Sequence, residues 1–223
     1  MKTFVIGDIH GCLNTLNSLL DKLDINFQED RLIFLGDYID RGAWPIATIL
    51  YVKELTETYP NNVIALKGNH EDMCLRYLKH IDKIWSYNGF EKSIKDLKAL
   101  GENEQQELLI WMQDLPERFD DGYFKYCHSG YWADELDEYN CKKVLWDRNW
   151  LRYGIGLVQQ PTIFGHTPLN YVTEVYPEMY DIDTSCVYGH KLTCVVVEDN
   201  KIVDTISVEQ DNRDHLKFFG KGI

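Results

Sequence analysis

The sequence predicts an α/β fold: two mixed β-sheets packed face to face with helices outside. Three observations carry that expectation. Short β-branched runs alternate with amphipathic stretches through the first third of the 223 residues, as in a parallel sheet with crossover helices. The pattern then changes to short strands with tight connections. Hydrophobic residues make up 44% and charged residues 26% of the chain, which excludes both a disordered chain and a fibrous repeat.

Taken in order, Thr3–Ile6 reads as a strand, and Leu13, Leu16, Leu19, Leu20 and Leu23 recur at helical spacing. Arg31–Leu35 is the second strand. The next helix opens at Pro45, whose fixed φ and missing N–H suit a first turn. Val63–Leu66 gives a third strand, completing a βαβαβ run. Residues 71–81 and 91–115 read as helices of a cap or outer layer, the second ending at Pro116. Strands follow at Tyr123–Cys127, Thr162–Phe164, Tyr171–Val175, Met179–Ile182, Leu192–Glu198 and Ile202–Val208. The last two read as a hairpin across Asp199-Asn200. Residues 1–208 are expected to form one domain, and residues 209–223, with Leu216, Phe218 and Phe219 among mixed charges, have no role legible from composition.

Charge and cysteine usage narrow the function. Thirty-six acidic against 23 basic residues give a net charge of −13, which argues against a protein that follows nucleic-acid backbone by bulk electrostatics. The apolar run Phe4–Ile6 is too short for a signal peptide, and no stretch is long enough to span a bilayer. The six cysteines contain no CxxC pair. They are expected to be buried small hydrophobes in a reducing cytoplasm.

Five fragments hold the chemistry: Gly7-Asp8-Ile9-His10-Gly11, Gly36-Asp37-Tyr38-Ile39-Asp40-Arg41-Gly42, Gly68-Asn69-His70-Glu71, Cys127-His128-Ser129-Gly130 and Gly165-His166-Thr167-Pro168. Each follows an apolar run, so each sets its polar residues at the C-terminal edge of a strand, where open α/β sheets place their ligands. Asp, His and Asn donors without thiolates suit borderline divalent ions such as Mn, Fe, Zn or Co. The donors are too many for one ion. Taken alone, any one Gly-Asp is as readily a plain turn.

The ordered set resembles the phosphoprotein phosphatase family of binuclear metallophosphoesterases, close to its lambda-type serine/threonine phosphatases. The likeness extends to Leu145-Trp146-Asp147-Arg148 and Tyr180-Asp181-Ile182-Asp183-Thr184. It implies a four-layer sandwich in a single calcineurin-like domain, and two divalent metal ions, manganese first, with Fe, Zn, Co or Ni as alternatives. Asp8, His10 and Asp37 would bind one ion, with Asp37 bridging to a second completed by Asn69, His128 and His166. A metal-bridging hydroxide would attack phosphorus directly. His70 would protonate the leaving oxygen with Asp40 orienting its ring, while Arg41, Arg148 and Asn69 would hold the phosphate. Lys67 stands where many relatives carry arginine, which turns a bidentate contact into a point charge if that position touches phosphate.

The resemblance therefore implies a phosphoserine/phosphothreonine phosphatase acting on a phosphoprotein or phosphopeptide, with no nucleic acid, membrane or regulatory subunit as partner. A dinucleoside tetraphosphate hydrolase of the same superfamily is the alternative, and a nuclease is a third. A catalytically dead binding module is the alternative of another class. Glu71 reads as a helix cap outside the site. Asp183 is either a support behind the ligands or a strand residue. Cys127 reads as core and Trp146 as core support for Arg148, Trp85 lies in a segment that either lines a groove or simply packs, and His80, His190 and His215 lie outside every fragment.

Overall fold

The computed structural model describes residues 1–131, 138–148, 151 and 161–216. The elements are β1 (Thr3–Ile6), α1 (Leu13–Leu20), β2 (Arg31–Phe34), α2 (Pro45–Thr58), β3 (Val63–Ala65), α3 (Asn69–Leu78), α4 (Glu91–Leu97) and α5 (Glu102–Asp114). Then come β4 (Arg118–Asp120), β5 (Lys125–Cys127), α6 (Glu138–Trp146), β6 (Thr162–Phe164), β7 (Thr173–Tyr176), β8 (Met179–Asp181), β9 (Lys191–Glu198) and β10 (Lys201–Glu209). Short 3₁₀ turns span Ile84–Tyr87, Cys186–Tyr188 and Asn212–Asp214. Among the described residues, no helix is long and apolar enough to cross a membrane.

Two five-stranded sheets form, in the orders β10-β9-β1-β2-β3 and β4-β5-β6-β8-β7. Each is mixed. β1, β2 and β3 run parallel while β9 and β10 pair antiparallel; β5, β6 and β8 run parallel while β4 and β7 pair antiparallel. Alternation along the strands builds the layers. Val5, Ile33, Val195 and Val197 of the first sheet meet Tyr126 and Ile163 of the second. Phe4, Ile6, Cys194 and Val196 face the opposite way, into a core with Leu16, Leu19, Ile49 and Val52 of α1 and α2. On the far side of the second sheet, Cys127, Phe164 and Met179 pack against Val144 of α6. This is the expected pair of mixed sheets with helices outside.

Several details differ from the sequence expectation, among them the end of α3 at Leu78 and the start of β5 at Lys125. β4 and α6 are additional elements. The 91–115 stretch breaks at Gly101, where an extended backbone turns from α4 into α5. α3 begins two residues early, at Asn69, because Glu71 reaches back to the Gly68 N–H at 3.0 Å as a capping group. That early start puts Asn69 and His70 in the first helical turn.

Residues 211–214 join the body of the fold. The Asp214 carboxylate is fully buried and accepts from Asn14 N–H and Nδ2 at 3.1 and 2.7 Å, and from Thr15 N–H and Oγ1 at 2.7 and 2.6 Å. It caps the N-terminus of α1 from the other end of the chain. Its carbonyl also accepts the Ala43 N–H at 3.0 Å.

Candidate metal centre and proton donor

The strand-end loops are laced together before any side chain is considered. Ile9 and His10 N–H groups donate to the Asp37 carbonyl at 3.1 and 2.8 Å, and Gly11 N–H donates to Tyr38 at 2.8 Å. Glu71, fully buried, accepts the N–H groups of Asp37, Tyr38 and Ile39 at 2.9, 2.9 and 3.3 Å as well as that of Gly68. His70 N–H donates to Asp37 Oδ1 at 3.0 Å. Residue 68 has to be glycine, since a Cβ there would lie 2.1 Å from that Asp37 oxygen.

Left-handed backbone concentrates at these loops. His10, Asp37, Asp40, Arg41 and His166 have φ of +47°, +55°, +72°, +65° and +72°. Each such residue costs on the order of 1–3 kcal/mol and persists only where its surroundings fix it.

Asp37 Oδ2 is the centre of the cluster. Nε2 atoms of His10 and His128 lie 3.4 Å from it and that of His70 3.9 Å. His10 Nδ1 donates to the Ile39 carbonyl at 2.8 Å and His128 Nδ1 to the Leu35 carbonyl at 2.9 Å, so both rings turn Nε2 lone pairs inward. Asn69 Oδ1 lies 2.9 Å from His128 Nε2 and 3.0 Å from His166 Nδ1. A carbonyl oxygen and an imidazole lone pair so close need a proton or a cation between them. Ligand atoms of His10, Asp37 and His70 fall within 4.8 Å of one another, as do those of Asp37, His128 and His166. Asp8 is adjacent, its two oxygens accepting His166 N–H at 3.1 and 3.2 Å.

Burial and mutual charge set the electrostatics of the cluster. Burial pushes Asp8 well up, with Asp183 adding repulsion. Burial also raises Asp183, to about 6. Burial works against ionised Asp37, but the imidazoles of His128 and His70 outweigh it and hold the carboxyl well below the usual range. Burial likewise opposes a charged His128, yet Asp37 and Asp8 raise it to about 9. His10 and His166 are lowered by burial and then by Arg41 and His128 respectively. Inward lone pairs, buried carboxylates and oxygen and nitrogen donors together fit divalent metal ions, which would replace the proton on His128.

Beside the cluster, His70 Nδ1 lies 2.5 Å from Asp40 Oδ2. Burial lowers His70 to about 3. Burial raises Asp40, against hydrogen bonds from Ser93 and Trp85. Arg41 Nη1 donates to His10 Nε2 at 2.6 Å, and its guanidinium carbon sits 5.7 Å above the Tyr188 ring. Arg148 is exposed and donates through Nη2 to the His166 carbonyl at 2.8 Å. All ten residues singled out in the sequence thus meet in one region.

Several expectations are refined. Glu71 is the main organiser of the Asp37 loop rather than a helix cap alone. Trp85 donates to Asp40 at 2.7 Å, and Trp146 packs edge-on to His166 with ring centroids 6.2 Å apart. Asp183 is buried and accepts Ser185 N–H at 3.0 Å, behind Asp8. Lys67 donates to the Gln113 carbonyl at 3.0 Å, at the C-terminal end of α5. Cys127 is core, and His80, His190 and His215 are exposed.

Known proteins match the chain along most of its length. The asymmetrical bis(5'-nucleosyl)-tetraphosphatase PrpE of Halalkalibacterium halodurans is 26% identical, covering 87% of this chain and 89% of the relative. Serine/threonine-protein phosphatase 1 of Salmonella typhimurium is 30% identical over 87% of this chain and 91% of its own. The solved structure of a Saccharomyces cerevisiae protein serine/threonine phosphatase superposes with a TM-score of 0.68 at 17% identity, covering 97% of this chain and 82% of that one. The calcineurin-like phosphoesterase model matches residues 1–211, and the chain belongs to the calcineurin-like phosphoesterase family.

Proposed function

We propose that this hydrolase removes phosphate from phosphoserine and phosphothreonine side chains of proteins. The observation that carries the reading is the His70–Asp40 pair, with Nδ1 held 2.5 Å from the carboxylate and Nε2 turned toward Asp37. A serine or threonine alkoxide is a poor leaving group and needs a positioned proton donor. A phosphoanhydride leaves as a phosphate anion and needs one far less.

In this reading Asp8, His10 and Asp37 hold one divalent cation, and Asp37, Asn69, His128 and His166 hold another. Such a pair, manganese by preference, supplies Lewis acidity and an acidified water. The remaining work belongs to the chain. Arg41 and Arg148 fork the non-bridging oxygens of the phosphate, with the Asn69 amide beside them. Arrival of a dianionic phosphate opposes the burial that keeps His70 neutral, so the ring takes up a proton on Nε2. Asp40 accepts from Nδ1–H throughout and keeps the imidazolium aimed at the leaving oxygen. The partner is a phosphoprotein, and a net charge of −13 disfavours nucleic acid.

Dinucleoside tetraphosphate hydrolysis is the second reading, supported by the likeness to PrpE over 87% of the chain. Manganese-reconstituted protein offered a phosphoserine peptide, a phosphotyrosine peptide and a dinucleoside tetraphosphate side by side decides. Inorganic phosphate from the phosphoserine peptide with the highest kcat/KM is the expected result; nucleotide release as the preferred reaction overturns it.

A further inference from the structure

We propose that residues 84–93 form a clamp over Asp40 and Arg41, and that Trp85 is the positioning residue through which His70 is kept aimed; the inference rests on the reading of His70 as proton donor. Asp40 and Arg41 are consecutive left-handed residues, with φ of +72° and +65°. Asp visits that region more readily than most residues, but Arg has no such preference and two in succession are costly, so neighbouring structure has to impose the pair.

A single segment supplies the restraint. The Trp85 indole N–H donates to Asp40 Oδ2 at 2.7 Å, and the Ser93 hydroxyl donates to Asp40 Oδ1 at 2.5 Å. The Ser93 oxygen accepts the Asp40 N–H at 3.0 Å, and the Gly89 carbonyl accepts the Arg41 N–H at 3.2 Å. Both carboxylate oxygens and two consecutive amides are therefore tied to ten residues of chain.

Trp85 is itself immobilised. It has no exposed surface and sits edge-on to Tyr77 and Phe90, with ring centroids 5.5 and 5.3 Å away. Its N–H shares Asp40 Oδ2 with His70 Nδ1. Two donors converging on one oxygen fix the rotation of the carboxylate, and with it the plane of the imidazole. Without the indole, Oδ2 keeps only His70, and the carboxylate, still tied to Ser93 through Oδ1, can shift about that one anchor and carry the imidazole with it.

The test uses the full chain reconstituted with manganese. Trp85→Phe keeps the aromatic triangle filled and removes the N–H. It is expected to lower kcat on a phosphoserine peptide about ten- to fifty-fold with KM within about two-fold, as for a hydrogen bond to a charged group. Turnover of p-nitrophenyl phosphate, whose leaving group needs little proton, should fall less than about three-fold. In a His70→Asn background the same change should add no loss. Equal losses on both esters, or a further loss in that background, reduce Trp85 to packing and overturn the clamp. Ser93→Ala reads the same split should Trp85→Phe not fold.

A spectroscopic arm stands apart from turnover. In the zinc-loaded chain, whose ions are diamagnetic, the Trp85 indole ¹⁵N–¹H resonance, identified by its disappearance in Trp85→Phe, is expected to move upfield in Asp40→Asn. An unmoved resonance overturns the clamp. Wild-type protein that spares the phosphoserine peptide but cleaves a dinucleoside tetraphosphate sinks the phosphatase reading, and the resonance then judges the clamp alone.

Discussion

Arg41 and Arg148 reach the same cluster from opposite sheets and are held in opposite ways. Arg41 follows β2. Its backbone is bent into the left-handed region, its amide is tied to Gly89, and its guanidinium rests between His10 and the Tyr188 ring. Arg148 follows α6, is exposed, and among the described residues its guanidinium donates to the His166 carbonyl. The first belongs to the scaffold that also holds the His70–Asp40 pair. The second is an exposed arm that reaches the cluster through the His166 carbonyl.

Four experiments break or sharpen that contrast. The largest effect is expected on the scaffold side: His70→Asn should lower kcat on phosphoserine peptide by roughly 10²–10⁴ while bound manganese, measured by elemental analysis, is retained. The loss should shrink on an aryl phosphate. Next, Arg41→Lys should lower kcat/KM by at least about thirty-fold, and Arg148→Lys by less than about ten-fold, since lysine replaces the charge of an exposed arm better than a stacked, forked guanidinium. Equal losses in the two variants would erase the distinction.

The third experiment removes the metal. His128 titrates near 9 in the bare fold against about 6.5 when unfolded. A raised histidine contributes stability that is complete below about pH 6.5 and is lost as pH rises through about 9. Unfolding free energy measured by urea in chelator should therefore fall by about 3 kcal/mol between those limits. Saturating manganese should remove this slope, because a metal-bound imidazole has no proton to lose. A slope unchanged by manganese would place His128 outside the metal centre. The smallest effect belongs to Lys67→Ala, whose ammonium caps α5 at Gln113; kcat/KM should change less than about two-fold, and unfolding free energy by under about 0.5 kcal/mol.

The donors were legible because each sits where an apolar run stops, and a strand end places its next residues at a sheet edge whatever the rest of the chain does. Asp8, Asp37, Asn69, His128 and His166 all follow that rule. What supports them was not legible. Glu71 is three residues past Gly68, which marks a cap, but nothing local says that it gathers three more N–H groups from a loop over thirty residues earlier. Trp85 and Ser93 lie 45 and 53 residues from Asp40, one on a short 3₁₀ turn and the other in the first turn of α4, and neither position carries a local sign of that partner. The three-residue strand β4 is too short to show alternation, and is defined by its partner β5.

The bond from Asp214 back to Asn14 and Thr15 bears on biosynthesis. β1, which launches the first loop of the site, lies between β2 and β9, and the helix after that loop is capped by a residue some 200 positions downstream. A nascent chain that has already emerged as far as His166 still holds its first strand with one flank open. Assembly of the site thereby waits for synthesis to pass Asp214, when the β9–β10 hairpin can dock beside β1 and the turn after it can close over α1.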